Sequence, residues 1–311
     1  PPDAIRREID DTAALGARLV FCGEDTYPPL LMDVEAPPPV LAVLGTPAIA
    51  GTRTVAMVGA RNASAAGRKM ARLLASGLGE AGMTVVSGLA RGIYAEAHDA
   101  ALATGTAAVI AGGIDTRYPR ENARLYAAIA EQGAIFSEMT FGAEPLARHF
   151  PRRNRLISGM SAAVVVVEAA LRSGSLITAR FAGEQGRDVF AVPGSPLDQR
   201  ARGTNRLIRD GAQLVETAAD ILDALHPQLG ERSWLFTPAE RPAPPDDVSH
   251  GDIPEGAHET VAALLAPAPV DIDDLVRMSR LPASVVNAVI LELEIAARAV
   301  RYPGGRVAAQ T

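Results

Sequence analysis

Cysteine is almost missing from this chain, which has only Cys22 among its 311 residues. A single cysteine excludes an internal disulfide and fits a reducing compartment, where such a residue is most often small, buried and apolar. The five histidines are scattered, and none is spaced with cysteines or acids as metal ligands require. The sequence therefore predicts no disulfide, no metal and no bound cofactor.

Long apolar runs and an excess of basic residues are missing too. No segment approaches the roughly 20 apolar residues of a membrane span, and no basic stretch followed by an apolar run marks a secretion signal. These absences predict a cytoplasmic protein without a membrane partner. The net charge of −6 argues against a wholly basic surface, so any nucleic-acid site has to be local.

Short apolar runs rich in β-branched residues alternate with helical patterns through the centre of the chain. Aromatic residues make up only 4%, so these strands consist mostly of Ala, Val and Ile. Continuous apolar strands are typical of a parallel sheet that is covered on both faces. The pattern predicts a doubly wound α/β fold, which binds ligands at the carboxyl ends of its strands. The predicted strands span 55–58, 84–86, 107–110, 134–136, 164–167 and 189–192, and the clearest helices span 65–81 and 175–185.

Composition divides the chain into four parts. Residues 1–50 form a lead-in with a short helical segment and a strand near residues 19–22, and residues 51–225 form the α/β domain. Prolines and acids between 226 and 256 are typical of a linker. Residues 257–311 predict three helices, two strands and a Pro303-Gly304-Gly305 turn, which together outline a small winged-helix domain.

The segment FPRRNRLI, residues 150–157, concentrates basic side chains next to an aromatic one. Arg152, Arg153 and Arg155 stand beside Asn154, and Phe150 precedes them. A guanidinium group matches the geometry of a phosphate, and an aromatic ring offers a surface on which a base can stack. A solvated basic turn is the alternative interpretation.

Glycines, serines and polar side chains follow the predicted strands at the edge where ligands bind. Small residues allow close backbone approach, and the helix N-termini that follow them favour anions. Ser64 is expected to cap the helix that begins after it. Ordinary strand–helix turns are the alternative. The candidates of this kind are Gly59, Arg61, Ser64, Ser87, Gly88, Gly112, Gly113, Arg120, Asn122, Ser173, Gly174 and Ser175.

Two further side chains have the chemistry that catalysis uses. Glu168 follows the fifth predicted strand, and we interpret it as a buried carboxylate that holds loop amides. His98 is interpreted as a packed or capping histidine, not as a base. No nucleophile–base pair is visible, so the sequence predicts a protein that is not an enzyme.

Eight segments taken together resemble the DprA/Smf family of DNA-processing proteins, in the order and spacing of that family. The resemblance implies an extended Rossmann-like domain that binds single-stranded DNA without sequence preference. It also implies protection of incoming strands and loading of RecA recombinase during natural transformation. The segments are MVGARNAS (57–64), VVSGLARGI (85–93), Ala97-His98, AGGIDTRYPREN (111–122), FSEMTFG (136–142), FPRRNRLISGMS (150–161), VVVEAALRSGSLITARFAGEQGRDVFAVPGS (165–195) and GTNRLIRDGAQLV (203–215).

The resemblance also assigns parts to individual residues. The family's DNA pocket corresponds by position to residues 59–61 and to Arg153 and Asn154, and we extend it to Arg120, Phe150, Arg152 and Arg155.

Members of the family form homodimers through the segment that matches residues 205–215, where Leu207 and Ile208 are our candidates. Tyr94 stands where the family usually has an acid, so a pocket shaped by that acid would differ here.

Two other functions stay open from the sequence. Related Rossmann-like families hydrolyse nucleoside monophosphates with a Pro-Gly-Gly-x-Gly-Thr-x-x-Glu loop. The matching loop here, residues 172–178, lacks the glutamate in that register. The chain would alternatively be an interaction scaffold in which the winged helix binds a protein partner.

Overall fold

The computed structural model describes residues 2–51, 53–225, 254, 256–266, 269–296, 298–302 and 306–309. The chain forms two compact units, residues 1–236 and 237–311. Only Pro254 and Gly256 of the predicted linker, residues 226–256, belong to the described residues. The four-part division of the chain therefore stays a prediction.

One sheet of nine strands forms the centre of the described part of the first unit. The strands are β1 (Arg18–Phe21), β2 (Val40–Gly45), β3 (Thr54–Val58), β4 (Thr84–Ser87), β5 (Thr106–Val109), β6 (Ala134–Ser137), β7 (Ala163–Val166), β8 (Asp188–Ala191) and β9 (Gln213–Leu214). Their order is β1-β2-β6-β5-β4-β3-β7-β8-β9, and the pairs from β6 to β9 are all parallel. After β6 the chain crosses to the far side of β3, so a topological switch point lies between β3 and β7. Doubly wound sheets bind ligands at such a point.

Helices cover both faces of this sheet. Alternate strand residues face opposite ways: Met57 packs with residues of α3 and α4, whereas Val58 packs with residues of α6 and α7. Each strand and helix predicted for the central domain is present within one residue of its predicted bounds, and the predicted α/β fold class is confirmed. The helices are α1 (Pro2–Ala14), α2 (Pro29–Met32), α3 (Ala65–Glu80), α4 (Ile93–Ala101), α5 (Ala123–Gln132), α6 (His149–Gly159), α7 (Ser175–Glu184), α8 (Arg202–Arg209) and α9 (Ala218–Leu225).

The lead-in segment extends the same sheet. The predicted strand near residues 19–22 is β1, which pairs antiparallel with β2, and β2 pairs antiparallel with β6. The buried Tyr27 donates its hydroxyl hydrogen to Pro38 O at 2.8 Å and so fixes the proline-rich turn between them. The pairing of β2 with β6 joins residues about 90 positions apart, which local sequence patterns do not reveal.

The second unit has the helices and strands of a winged helix. In its described residues, a three-stranded antiparallel sheet packs with three helices around Val261, Leu275 and Ile290. The predicted Pro303-Gly304-Gly305 turn lies outside the described residues. The elements are α10 (Ala257–Leu264), β10 (Val270–Asp271), α11 (Ile272–Ser279), α12 (Ala283–Ile295), β11 (Ala299–Tyr302) and β12 (Arg306–Ala309).

Candidate functional site

Two cavities lie side by side at the carboxyl edge of the central strands. The switch-point cavity, of about 740 Å³, is bordered by the residues after β3 and β7. The glycine-loop cavity, of about 340 Å³, is bordered by the residues after β4 and β5. Arg61, Phe150 and Arg153 line both cavities and form the wall between them.

Arg153 is a buried cation in this wall. Its Nη1 donates to Gly88 O and to Val109 O, at 2.6 Å in each case. Its Nε is buried without a hydrogen-bond partner, and no carboxylate among the described residues pairs with the guanidinium group. A buried charge is costly unless an opposite charge balances it. Arg153 therefore suits an anion that enters from either cavity.

The surroundings of Arg153 leave its charge uncompensated. Burial lowers the pKa of Arg153 to about 10; Tyr94 opposes this shift, and the positive charge of Arg61 adds to it. Tyr94, the departure from the family pattern, is buried in the wall of the switch-point cavity, and burial raises the pKa of its phenol. Because the Tyr94 phenol is neutral at ordinary pH, it balances neither Arg61 nor Arg153, and both positive charges stay available to a ligand.

An aromatic surface lies next to these charges. The Arg61 guanidinium stacks 4.7 Å from the centre of the Phe150 ring, and Arg153 lies 5.8 Å from the same ring. Tyr118 is 48% exposed, and its ring centre lies 6.0 Å from that of Phe150. Rings that are partly open to solvent beside unpaired cations can bind a base and its phosphate together.

The predicted cap at Ser64 is present and is tied to Glu168. Ser64 Oγ accepts a hydrogen bond from Gly67 N at 2.9 Å, which caps α3. The carboxylate of Glu168 accepts from Ser64 N at 2.9 Å and also from Ser64 Oγ. Glu168 thus holds a loop amide and fixes the start of α3 against the end of β7, as we interpreted it from the sequence, although the residue is only partly buried.

The predicted serine-rich loop borders the switch-point cavity at the start of α7. Ser173 Oγ and Ser175 Oγ lie 2.7 Å apart, and Ser175 is buried. Asn154 Nδ2 donates to Gly174 O at 3.2 Å, which fixes this loop against α6. These four residues line the cavity wall together with Gly59.

The glycines after β4 and β5 make room mainly for the protein itself. A side chain at Gly88 would collide with the guanidinium group of Arg153. A Cβ atom at Gly112 would lie 2.9 Å from Ala143 O, and one at Gly113 would lie 2.6 Å from Thr140 O. We expected a ligand to occupy the space beside the last two glycines. The loop of residues 140–143 fills that space, although Gly112 also borders the glycine-loop cavity.

Arg152 and Arg155 are held by one carboxylate. Arg152 donates to both oxygens of Glu138 at 3.0 and 3.2 Å, and Arg155 donates to Glu138 Oε1 at 2.5 Å. Arg155 also donates to Ala36 O at 3.2 Å. Neither arginine lines the two cavities, so α6 separates them from Arg153 although the three are nearly consecutive in sequence.

Of the remaining candidates, Asn122 and Ser87 support neighbouring backbone, and Arg120 lies on the surface. Asn122 donates to Leu89 O and Ala90 O at 3.0 and 3.1 Å, which shapes the loop after β4. Ser87 is fully buried and donates to Met57 O at 2.7 Å. Arg120 is exposed and lines the glycine-loop cavity, where its guanidinium group is open to a ligand.

His98 is a packed histidine, as interpreted from the sequence. It is fully buried, its Nε2 accepts from Leu89 N at 3.3 Å, and its Nδ1 lies 2.7 Å from Thr106 Oγ1. The Thr106 hydroxyl itself donates to Val85 O at 2.9 Å, so the Nδ1–H tautomer completes the network. His98 therefore fixes the loop that forms one wall of the glycine-loop cavity.

Acid is expected to destabilise the fold through His98. Burial lowers the pKa of this histidine to about 3 from the ordinary value of 6.5, the Arg153 charge adds to the shift, and a backbone hydrogen bond opposes it. The unfolded chain binds the extra proton between these two pH values, so the free energy of unfolding falls as pH drops through that window. The loss between pH 7 and pH 5 should be about 2 kcal/mol. Urea unfolding at both pH values measures it.

The matched variants for this test are His98→Gln and His149→Ala. His98→Gln should lower stability at pH 7 but weaken the dependence on pH, whereas His149→Ala, which alters a less buried histidine of the same unit, should keep the wild-type dependence. An unchanged pH dependence in His98→Gln would contradict the assignment.

Two arginines of the switch-point cavity were not among the sequence candidates. Arg172 and Arg200 both line it, and Arg200 also pairs with Asp198 at 3.0 Å. Arg172 lies directly before the predicted serine-rich loop. Arg172 would have been a candidate if the strand order had been known, because β7 lies next to β3 and the loop after β7 therefore borders the same cavity.

Leu207 and Ile208, the predicted dimer residues, lie on α8 and are partly buried. Leu207 packs against the core of the first unit. Neither residue lines the two cavities, so any dimer contact on α8 is separate from them.

Among the described residues, His, Cys, Asp and Glu nowhere cluster in threes as a metal site requires. The described helices also include none with the length and apolar character needed to cross a membrane.

Family models match two parts of the chain. Residues 18–226 match the model for DNA recombination-mediator protein A, and residues 237–305 match the DprA winged helix domain. Among curated relatives, Protein Smf of Escherichia coli is 40% identical over 93% of this chain and 76% of its own length. The DNA processing protein DprA of Streptococcus pneumoniae is 44% identical over 64% of this chain and 71% of its own.

Solved structures agree with these matches. The crystal structure of DprA from Streptococcus pneumoniae is similar with a TM-score of 0.67 and 39% identity, over 72% of this chain and 77% of that one. DprA from Helicobacter pylori, whose structure is described as revealing a single-stranded DNA binding mode, gives a TM-score of 0.63 and 28% identity, over 68% and 96%. On its fold and on these similarities, the chain belongs to the DprA/Smf family of DNA-processing proteins.

Proposed function

We propose that this chain binds single-stranded DNA, without sequence preference, in the switch-point and glycine-loop cavities. The observation that carries the proposal is Arg153, a buried cation with an unpartnered Nε and no carboxylate partner among the described residues, in the wall that both cavities share. A DNA phosphate supplies the missing negative charge. Arg61 supplies a second contact to the phosphate backbone from the exposed side.

The aromatic surface favours single strands over duplex. Phe150 and Tyr118 offer rings beside the cations, and a base can stack on them only when its face is free of neighbours. Every base has such a face, and contacts to phosphate carry no sequence information. Together these contacts give binding that tolerates any sequence and weakens as salt rises.

We propose further that the chain is not an enzyme. Hydrolysis of a nucleotide needs a carboxylate or another base beside the reacting atoms, and among the described residues that line the switch-point cavity there is no Asp or Glu. Glu121, the one carboxylate in the described lining of the glycine-loop cavity, forms an ion pair with Arg91 at 3.5 Å. Glu168, at the end of β7, is engaged by Ser64. Release of free base from a nucleoside monophosphate would contradict this proposal.

The role in the cell follows from the family. We propose that the protein acts in the cytoplasm, protects incoming single strands and loads RecA recombinase onto them during natural transformation and recombination. It would do so as a homodimer that uses Leu207 and Ile208. The third helix of the winged-helix unit, α12, has Glu292 and Glu294 but no Lys or Arg, which favours a protein partner over duplex DNA for that unit.

Fluorescence anisotropy with labelled oligo-dT tests the central proposal. Wild-type protein should bind it, should bind an oligonucleotide of mixed sequence about equally, and should lose affinity linearly on a log–log plot against salt. A duplex of the same length should compete poorly. Absence of binding to any single strand would contradict the proposal and would direct attention to nucleotide hydrolysis and to protein partners.

Arg152 should contribute much less than Arg61 in the same assay. Both oxygens of Glu138 already neutralise Arg152, and the hydrogen bond to that carboxylate raises the pKa of Arg152. An Arg152→Ala variant should therefore lose less than about threefold in affinity, a change typical of a screened surface charge. A loss as large as that of Arg61→Ala would mean that DNA displaces Glu138.

A further inference from the structure

Residues 88–92, which we call the β4 loop, lie between the two cations of the proposed site. At the start of the loop, Gly88 O accepts a hydrogen bond from Arg153 Nη1 at 2.6 Å. At its end the backbone passes close to that of Arg61, since a Cβ atom at Gly92 would lie 2.6 Å from Arg61 O. The loop therefore packs against both cationic residues, and a shift of the loop would remove support from them.

Leu89, inside this loop, has a left-handed backbone with a φ of +49°. A bulky residue rarely adopts this conformation unless its surroundings hold it there. Leu89 is 1% exposed, and its N–H donates to His98 Nε2 at 3.3 Å. The loop thus stores backbone strain that contacts from neighbouring elements have to balance.

Asn122 supplies those contacts on the carbonyl side of the loop. Its Nδ2 group has two hydrogens, and it donates to Leu89 O at 3.0 Å and to Ala90 O at 3.1 Å. The three consecutive carbonyl groups of residues 88–90 therefore accept from only two side chains, those of Arg153 on α6 and of Asn122 before α5. Without Asn122, Leu89 could relax to a negative φ, and the carbonyl group that holds Arg153 would turn with it.

The amide of Asn122 has no hydrogen left for DNA. Both hydrogens are used within the protein, and Oδ1 is an acceptor, which does not bind phosphate. Asn122 lines neither cavity, although its neighbours Arg120 and Glu121 line the glycine-loop cavity. It also stands at the N-cap of α5, where an asparagine usually caps the helix, but its side chain makes no capping hydrogen bond. The side chain is committed to the β4 loop instead.

We infer that Asn122 is a positioning residue for DNA binding, which acts through the β4 loop on Arg153. It keeps Leu89 left-handed, so that Gly88 O holds the Arg153 guanidinium in the wall that both cavities share. This inference rests on the proposed function and deepens it, because it assigns part of the DNA affinity to a neutral side chain that does not touch the strand.

An Asn122→Ala variant tests the inference with labelled oligo-dT in a salt series. Its affinity should fall about 3- to 10-fold, an effect typical of coupled neighbours. The slope against salt should also fall, by up to about 0.7, the value for one phosphate of a single strand, although no charge is removed. A residue with a merely structural role would lower the melting temperature and leave this slope unchanged.

Two further variants control this measurement. Tyr27→Phe removes another hydrogen bond from a side chain to a backbone carbonyl, outside both cavities, and should bind DNA as the wild type does. Asn122→Ser keeps a hydroxyl donor on a shorter side chain and should recover part of the lost affinity. If Asn122→Ala does not fold, Asn122→Ser takes its place, with the same changes expected at a smaller size.

A double-mutant cycle separates action through Arg153 from direct contact with DNA. In an Arg153→Met background, Asn122→Ala should change the affinity by less than about twofold, because the residue through which it acts is already lost. The same loss in this background as in the wild type would overturn the inference, since the two residues would then act independently.

The remaining outcomes separate this inference from the proposed function. If the wild type does not bind oligo-dT, the proposed function fails. If the wild type binds and a folded Asn122→Ala variant binds equally well, the inference alone is wrong. An equal loss by Tyr27→Phe would also overturn it, because a general loss of stability would then explain the effect.

Discussion

An Arg61→Ala/Phe150→Ala variant should bind oligo-dT about 100-fold more weakly than the wild type, since its two lost contacts together contribute about 3 kcal/mol. Stacking of one base on an aromatic ring contributes roughly 1–3 kcal/mol, and a hydrogen bond to a charged phosphate contributes about 1.5–3 kcal/mol. The two side chains stack on each other at 4.7 Å and line both cavities. Anisotropy at fixed salt measures the loss. Thermal unfolding should change little, because Arg61 is exposed and Phe150 is only partly buried.

The chain offers a closely matched control for this variant. Arg180 and Phe181 form another arginine–phenylalanine contact, with the guanidinium 5.4 Å from the ring centre, and they line neither cavity. Arg180→Ala/Phe181→Ala should bind DNA as the wild type does. Equal affinities of the Arg61/Phe150 variant and the wild type would place the strand elsewhere on the protein.

Arg153→Met should lose binding by about 10- to 100-fold with little change in stability, because a hydrogen bond from a charged group contributes about 1.5–3 kcal/mol. The lowering of its pKa from 12.5 to about 10 corresponds to roughly 3 kcal/mol of cost for the buried charge. Against this, methionine removes the hydrogen bonds that Arg153 donates to Gly88 O and Val109 O, and each loss costs about 1–3 kcal/mol. The opposing effects are similar in size, so the free energy of unfolding should change by no more than about 2 kcal/mol.

Two measurements separate binding from folding in this variant. Urea unfolding gives the stability, and the rise in melting temperature on addition of oligo-dT reports binding by the folded form. The wild type should show that rise and Arg153→Met should not. A variant that keeps the full rise would remove Arg153 from the site, whatever its stability.

The sheet could be predicted from the sequence because each buried strand is a short apolar run. β3 and β7 have only buried residues, and such runs are visible without knowledge of their partners. The antiparallel pairing of β2 with β6 was not predictable in the same way, because it depends on contacts between distant segments. Local patterns determine the elements, whereas long-range packing determines their neighbours.

The sequence indicated which segment forms the site, but not which of its side chains face the cavities. The arginine cluster of residues 152–155 marked the correct helix, yet α6 turns Arg153 into the wall of the cavities and Arg152 and Arg155 towards Glu138. Helical geometry turns adjacent residues about 100° apart, so Arg152 and Arg153 face different partners. The partner Glu138 follows β6, and only the folded sheet brings it to α6.

The nine-stranded sheet has a very short strand, β9, at one of its two edges. β9 has two residues, Gln213 and Leu214, and both pair with β8 on one side only. An outermost strand of normal length is a template onto which another chain can add, and short outer strands are a known safeguard against uncontrolled aggregation. The two residues of β9 offer too few unpaired backbone groups for a strand of another chain to extend the sheet at this edge.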